Sequence, residues 1–157
     1  MNIGNEKGLY NNKEVLLKKI SSVEKADVEL FIKKENNSFP VPLSDRVDLN
    51  EYVNKIINNA VLYGYYYKNN IIGLIAFYLN REFTYVTYIC VNKEFQSMHL
   101  GSKLMKLMEE ECKKEQVCRI DLTTNINNNK AQKFYEKLGY KVIERNGTDL
   151  KYSLILK

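Results

Sequence analysis

Residues 83–114 read FTYVTYICVNKEFQSMHLGSKLMKLMEEECKK, and the change of period inside them decides the fold. The first nine, FTYVTYICV, are almost all Thr, Tyr, Val and Ile, which suit a pleated strand surface. From Leu100 the pattern becomes helical: Leu100, Leu104, Leu107, Met108, Glu111 and Cys112 recur at steps of three and four, one stripe of an amphipathic helix. A short β-rich run, CRIDLTT (118–124), comes next. Strand, helix, strand in that order is a crossover unit, so the two strands are expected to be parallel.

The rest of the chain fits around this unit. EVLLKKI (14–20) reads as a first strand. Ser21 and Glu24 then have capping-box spacing, and a helix is predicted from there to about Asn36, ahead of Pro40 and Pro42. A second helix is predicted behind Asp48 as N-cap, with Leu49, Tyr52, Val53, Ile56 and Ile57 on one face. VLYGYYYKNNIIGLIAFYL (61–79) is two β runs around KNN, a hairpin turn in which Asn tolerates positive φ. Ala131, Phe134, Tyr135 and Leu138 make a further helix, stopped by Gly139, and Asn146-Gly147 marks a closing hairpin. The expected order is β-α-α-β-β-β-α-β-α-β-β. This is an α/β (α+β) fold with a mixed, mostly antiparallel sheet of about seven strands and helices on both faces. Residues 1–12 are polar and Gly/Asn-rich and are expected to be a flexible terminus, with 13–157 as one domain.

The composition narrows the function. At 157 residues and 45% apolar, the chain can bury one core. Its formal charge of +5 comes from scattered Lys residues, so no basic stripe marks a nucleic-acid site. Cys90, Cys112 and Cys118 are odd in number and His99 is the only imidazole, which argues against both a disulfide framework and a zinc site. No signal-peptide core and no apolar run of membrane-spanning length is present, so a cytoplasmic protein is expected.

The loop at 95–102 carries the first chemical signal. A strand passing through a Gly-containing loop into a helix leaves backbone N–H groups unpaired at the positive end of the helix dipole, a setting that suits phosphate oxygens. Gly101 lets the backbone approach a ligand, and Ser102 and Lys103 add a hydroxyl and a charge. Neither G-x-x-x-x-G-K-[ST] nor G-x-G-x-x-G occurs, which removes the nucleotide triphosphatase and dinucleotide readings.

Two motifs within residues 89–143 resemble the coenzyme A half of the GCN5-related N-acetyltransferase (GNAT) family. Gln96-Ser97-Met98-His99-Leu100-Gly101 resembles [QR]-x-x-[GA]-x-[GA]. Asn128 through Tyr140 resembles N-x-x-A-x-x-[FL]-Y-x-x-x-G-[FY]. The resemblance implies acetyl-coenzyme A as co-substrate, with no metal. Gln96, Ser97, Met98, His99, Leu100, Gly101, Ser102 and Lys103 would wrap its pyrophosphate. Ile89, Cys90 and Val91 would hold the pantetheine arm on a strand splayed from 118–124, with an N–H near Cys90 or Val91 polarising the thioester. Asn128 and Asn125 would touch the arm, and Tyr135 would protonate the departing thiolate.

His99 departs from the motif at its first Gly/Ala position: either the backbone needs no positive φ there, or His carries strain. Thr123 stands where relatives often carry Glu. For the base, Glu82 is best placed by topology, followed by Asp45 and Asp48. Alternating tyrosines Tyr63, Tyr65 and Tyr67 pack a strand face, and some of these aromatics could line an acceptor pocket. The expected partner is a small-molecule or peptide amine, without nucleic acid or membrane, on a monomer or homodimer. A non-catalytic acyl-coenzyme A sensor on the same fold and an acyl-cysteine route through Cys90 stay open.

Overall fold

The structure is a computed structural model; it describes residues 6–10 and 13–157, with side chains from Glu14 onward. Eight strands form one sheet in the order β1-β2-β3-β4-β5-β6-β8-β7. They are β1 (Glu6–Tyr10), β2 (Lys13–Ile20), β3 (Val61–Tyr67), β4 (Asn70–Tyr78), β5 (Phe83–Val91), β6 (Arg119–Asn125), β7 (Lys141–Asn146) and β8 (Asp149–Ile155). The helices are α1 (Lys25–Lys34), α2 (Leu49–Asn59), α3 (Leu100–Lys114) and α4 (Asn129–Lys137). Among the described residues only β5 and β6 pair in parallel, as the crossover requires.

The fold class matches the sequence reading, with one strand more than expected. Glu6–Tyr10 forms an edge strand antiparallel to β2, where residues 1–12 read as a loose terminus. Residues 1–5 and 11–12 of that segment lie outside the described residues. Its Gly, Asn and Lys content hid the strand, because edge pairing uses backbone groups and needs no apolar face.

Local chemistry explains most boundaries. The Asp48 carboxylate accepts the Glu51 N–H at 3.0 Å, satisfying one free amide at the start of α2. Glu24 is buried and accepts from the Ser21 hydroxyl at 3.0 Å and from Lys18 at 3.1 Å; these bonds outweigh its burial and hold its carboxyl below the usual range. Lys68 and Asn69, at φ +48° and +66°, turn β3 into β4, and Gly139 at φ +98° ends α4.

β4 is buried on both faces, which is why IIGLIAF reads as an unbroken apolar run. On one face Ile71, Leu74 and Ala76 pack with Val28, Phe31 and Ile32 of α1 and Val53 and Ile56 of α2. On the other, Ile72, Ile75 and Phe77 pack with Leu104, Met105 and Met108 of α3. Each such side chain contributes about 1.5–3 kcal/mol on leaving water. The tyrosines of β3 are structural: Tyr63 and Tyr65 are buried in the α3-side core, and the Tyr63 hydroxyl donates to Glu111 at 2.8 Å. Tyr66, on the opposite face, donates to Asp27 at 3.1 Å.

Candidate active site

One extra residue in β5 opens the sheet. Ala76 pairs with Tyr88 while its neighbour Phe77 pairs with Val86, so Thr87 is a β-bulge. The parallel pairing of β5 with β6 runs from Phe83↔Arg119 to Val86↔Leu122 and stops there. Beyond the bulge the two strands part as a wedge. Tyr52 of α2 clamps the bulge, its hydroxyl meeting the Thr87 carbonyl at 3.0 Å and the Thr87 hydroxyl at 2.8 Å. The closed end is pinned by Asp121, fully buried opposite Tyr85 and bonded to Arg119 Nε at 3.1 and 3.2 Å.

Strand geometry identifies which amides face the wedge. Asn92 N–H donates to Ile72 O of β4 at 2.7 Å. In an antiparallel ladder the direction alternates, so the Cys90 amide also points to β4, while those of Ile89 and Val91 point away from it, toward the opening. The expected N–H near Cys90 or Val91 is therefore that of Val91 or Ile89. Val91 O is taken by Gln96 Nε2 at 3.1 Å.

The loop that follows is a 3-10 turn, Lys93–Met98, started by Asn92 Oδ1 accepting the Glu94 N–H. His99 then takes left-handed backbone, φ +58° and ψ +31°. The family motif favours Gly at this point because an L side chain is strained there. Of the two alternatives for His99, the strained one holds. The first intrahelical bond of α3 is Lys103 N–H to His99 O at 3.1 Å, which leaves the amides of Leu100, Gly101 and Ser102 without a carbonyl. A Cβ on Gly101 would stand 3.4 Å from the Phe134 ring and 3.9 Å from Val91, so glycine here keeps α3, α4 and β5 close.

His99→Gly tests whether backbone or ring matters. Relief of about 1 kcal/mol of strain offsets the extra freedom glycine gains on unfolding, so melting temperature should hold or rise. Affinity for coenzyme A should stay within about threefold. A large loss on titration would assign the binding to the imidazole.

From the far side of the wedge, α4 brings Tyr135. It is 7% exposed, ringed by Phe134, Tyr140 and Tyr152 at centroid distances of 5.3, 6.2 and 5.9 Å. Its hydroxyl has no hydrogen-bond partner among the described residues, and burial pushes its ionisation well above the usual phenol range. Asn128 caps α4 by accepting the Ala131 N–H at 3.1 Å, and Asn125 ends β6. Lys130 donates to Gln96 Oε1, tying α4 to the loop.

These elements line one cleft of about 910 Å³. Of the residues nominated from sequence, Ile89, Cys90, Val91, Gln96, His99, Gly101, Ser102, Asn125, Asn128 and Tyr135 line it. The side chains of Ser97, Met98, Leu100 and Lys103 do not; Leu100 is buried in the core, and its amide alone is at issue. Glu82 does not line the cleft either. It is exposed just before β5, at the paired end of the wedge. Asp45 and Asp48 are exposed and outside it, with Asp48 spent on its cap. None of the β3 tyrosines reaches the cleft.

From the segment between α1 and α2 sequence reasoning nominated Asp45 and Asp48 and missed the residues that reach the cleft. Ser38, Phe39, Pro40, Val41, Leu43 and Arg46 form a wall of the cleft. Glu35, 6% exposed, anchors that wall to β5, accepting from Ser38 Oγ at 3.0 Å and Asn92 Nδ2 at 3.0 Å, with Cys90 Sγ 4.0 Å away. The Phe-Pro-Val-Pro run, too stiff to be helix, was the available signal.

The cleft fits coenzyme A in kind. Three unpaired amides at the N-terminus of a 15-residue helix suit a pyrophosphate, and Lys106, Lys130 and Lys137 add positive charge along the α3–α4 side. Residues 28–140 match the model of the Acetyltransferase (GNAT) family. The chain belongs to the GNAT acetyltransferase family.

GNAT structures superpose on nearly the whole chain. An acetyltransferase of the GNAT family from Staphylococcus aureus Mu50 aligns with TM-score 0.76 and 22% identity, over 91% of this chain and 99% of its own. PaiA N-acetyltransferase from Thermoplasma acidophilum, in complex with coenzyme A, gives 0.75 and 15%, over 90% and 98%. The ribosomal-protein-S18-alanine N-acetyltransferase from Escherichia coli gives 0.75 and 15%, over 91% and 94%. At these identities the likeness concerns the GNAT fold. No curated protein matches the sequence significantly. Among the described residues no helix is long and apolar enough to cross a membrane, and no cluster of three metal-ligating side chains occurs.

Proposed function

We propose that the protein transfers the acetyl group of acetyl-coenzyme A to a primary amine by direct attack in a ternary complex. The observation that carries this reading is the convergence on one wedge of the unpaired α3 amides, the outward amides of Ile89 and Val91, and the unpartnered hydroxyl of Tyr135. Acetyl-coenzyme A supplies an activated thioester that a neutral amine can attack.

The chain's residues divide the work. Amides of Leu100, Gly101 and Ser102 hold the diphosphate, with backbone doing what a side-chain charge does elsewhere. Asn125 and Asn128 flank the pantetheine arm. The N–H of Ile89 or Val91 polarises the thioester carbonyl. Tyr135 donates its proton to the sulfur as the C–S bond breaks. None of Glu82, Asp45 and Asp48 lines the cleft; the carboxylates that do are Glu109 and Asp149, and either of these or water in the open mouth takes the ammonium proton. Incubation with acetyl-coenzyme A and an amine panel should release free thiol. Saturable coenzyme binding without turnover on any amine would favour the sensor alternative instead.

Cys90 is not the nucleophile in this scheme. Burial, reinforced by the Glu35 carboxylate, pushes its thiol up to about 12, so at neutral pH it carries no thiolate to attack with. Cys90→Ala should keep its turnover within about threefold, a change under ~1 kcal/mol in barrier. Loss of activity together with a trapped acetyl-protein in the parent would restore the covalent route.

A further inference from the structure

The cleft has two ends of different character. The α3–α4 end carries Lys106, Lys130 and Lys137 beside the unpaired amides, and belongs to the coenzyme. The other end is enclosed by Ser38–Arg46 and by Thr87, Tyr88 and Cys90 of β5, and it is largely apolar. Phe39 packs edge-on to Tyr88 at 5.9 Å, and Tyr52 is tilted against the same ring at 6.5 Å. Pro40, Val41 and Leu43 complete this wall.

One charged group interrupts it. Arg46 is the one charged residue that the Ser38–Arg46 wall and β5 bring to the cleft, which Asp149 of β8 also lines, and among the described residues no carboxylate is paired with Arg46. Tyr88 is 5% exposed, its hydroxyl buried against the Cys90 thiol. A guanidinium presents a planar fork that matches a carboxylate in two parallel hydrogen bonds. The same charge repels a second ammonium group.

We propose that the acceptor is a small apolar amine that also bears a carboxylate, its anion held by Arg46 and its body packed on Phe39 and Tyr88. The inference rests on the transferase reading and adds the substrate class: amino-carboxylates, in preference to neutral amines or polyamines.

The test uses phenylalanine, its amide and phenethylamine, which share the ring and amine and differ at the carboxylate, with spermidine as a polyamine, each with acetyl-coenzyme A, reading thiol release. Phenylalanine should exceed phenethylamine in kcat/KM by about tenfold or more. In Arg46→Ala that ratio should collapse toward one while the KM for acetyl-coenzyme A stays put. Arg46→Lys should recover part of the ratio. Equal or better use of phenethylamine or spermidine by the parent protein, or an Arg46→Ala loss shared equally by all amines, overturns the proposal. Should coenzyme A bind but no amine turn over, the transferase reading itself fails. Calorimetry on the coenzyme-loaded protein then still decides the pocket, since phenylalanine must bind at least about tenfold tighter than phenethylamine.

Discussion

Tyr135→Phe should lower kcat by about a hundredfold or more while leaving the KM for acetyl-coenzyme A nearly unchanged, the size expected when a positioned general acid is removed. The substitution is clean because the ring contacts with Phe134, Tyr140 and Tyr152 survive it, and the hydroxyl has no protein hydrogen bond to lose. Stability should therefore move by less than about 1 kcal/mol. Burial holds the phenol above its ordinary ionisation range, so it stays protonated throughout a normal assay and contributes no alkaline fall in rate. Steady-state kinetics with thiol detection, alongside a melting curve, checks each part. A kcat within about threefold of the parent would take the acid role from Tyr135.

Alkaline unfolding should be unusually steep. Tyr63, Tyr88, Tyr135 and Tyr140 are all at least nine-tenths buried, and burial raises the ionisation of each well above 10, with Glu111 adding to the effect at Tyr63 and Glu109 at Tyr140. Tyr52, less buried, is pushed up to about 12. The sign follows from which state takes up protons. Below the unfolded phenol range both states are neutral and stability is untouched. Above it the unfolded chain ionises while the folded one does not, so stability falls as pH rises. Each of these four buried phenols contributes at most about 1.4 kcal/mol per pH unit in that window, up to roughly 5 kcal/mol per unit together. A domain of ordinary stability, about 5–15 kcal/mol, should then lose its fold between about pH 11 and 13. Phenolate absorbance and far-UV circular dichroism should change together. Full phenolate formation near pH 10 with native circular dichroism intact would contradict the packing described for these rings.

What could be read in advance was what is written locally. Asp48 and Glu51 announced a helix start three residues apart, KNN announced a turn, and the change of period at Leu100 announced the crossover. The loop at 96–102 and the helix carrying Tyr135 followed from motifs of the same short range. What escaped is held by contacts between distant residues. The bulge at Thr87 depends on Tyr52, 35 positions away, and nothing in FTYVTYICV says that one of its residues is unpaired. The wall from Ser38 to Arg46 is defined by Glu35 meeting Asn92 across 57 positions. Glu82 looked well placed because the chain order puts it at the head of β5, but chain order does not say which end of a strand pair opens. The edge strand Glu6–Tyr10 escaped for a different reason, since its pairing relies on the main chain and leaves no pattern in side chains.

The bulge has a consequence for how this architecture tolerates change in length. Most surface turns can gain or lose a residue at little cost. Thr87 is different: it works like a dislocation in an otherwise regular lattice, one unpaired residue set between Val86↔Phe77 and Tyr88↔Ala76. Deleting it would join Phe77↔Val86 and Ala76↔Tyr88 into one regular ladder and remove the local bend beyond which β5 parts from β6.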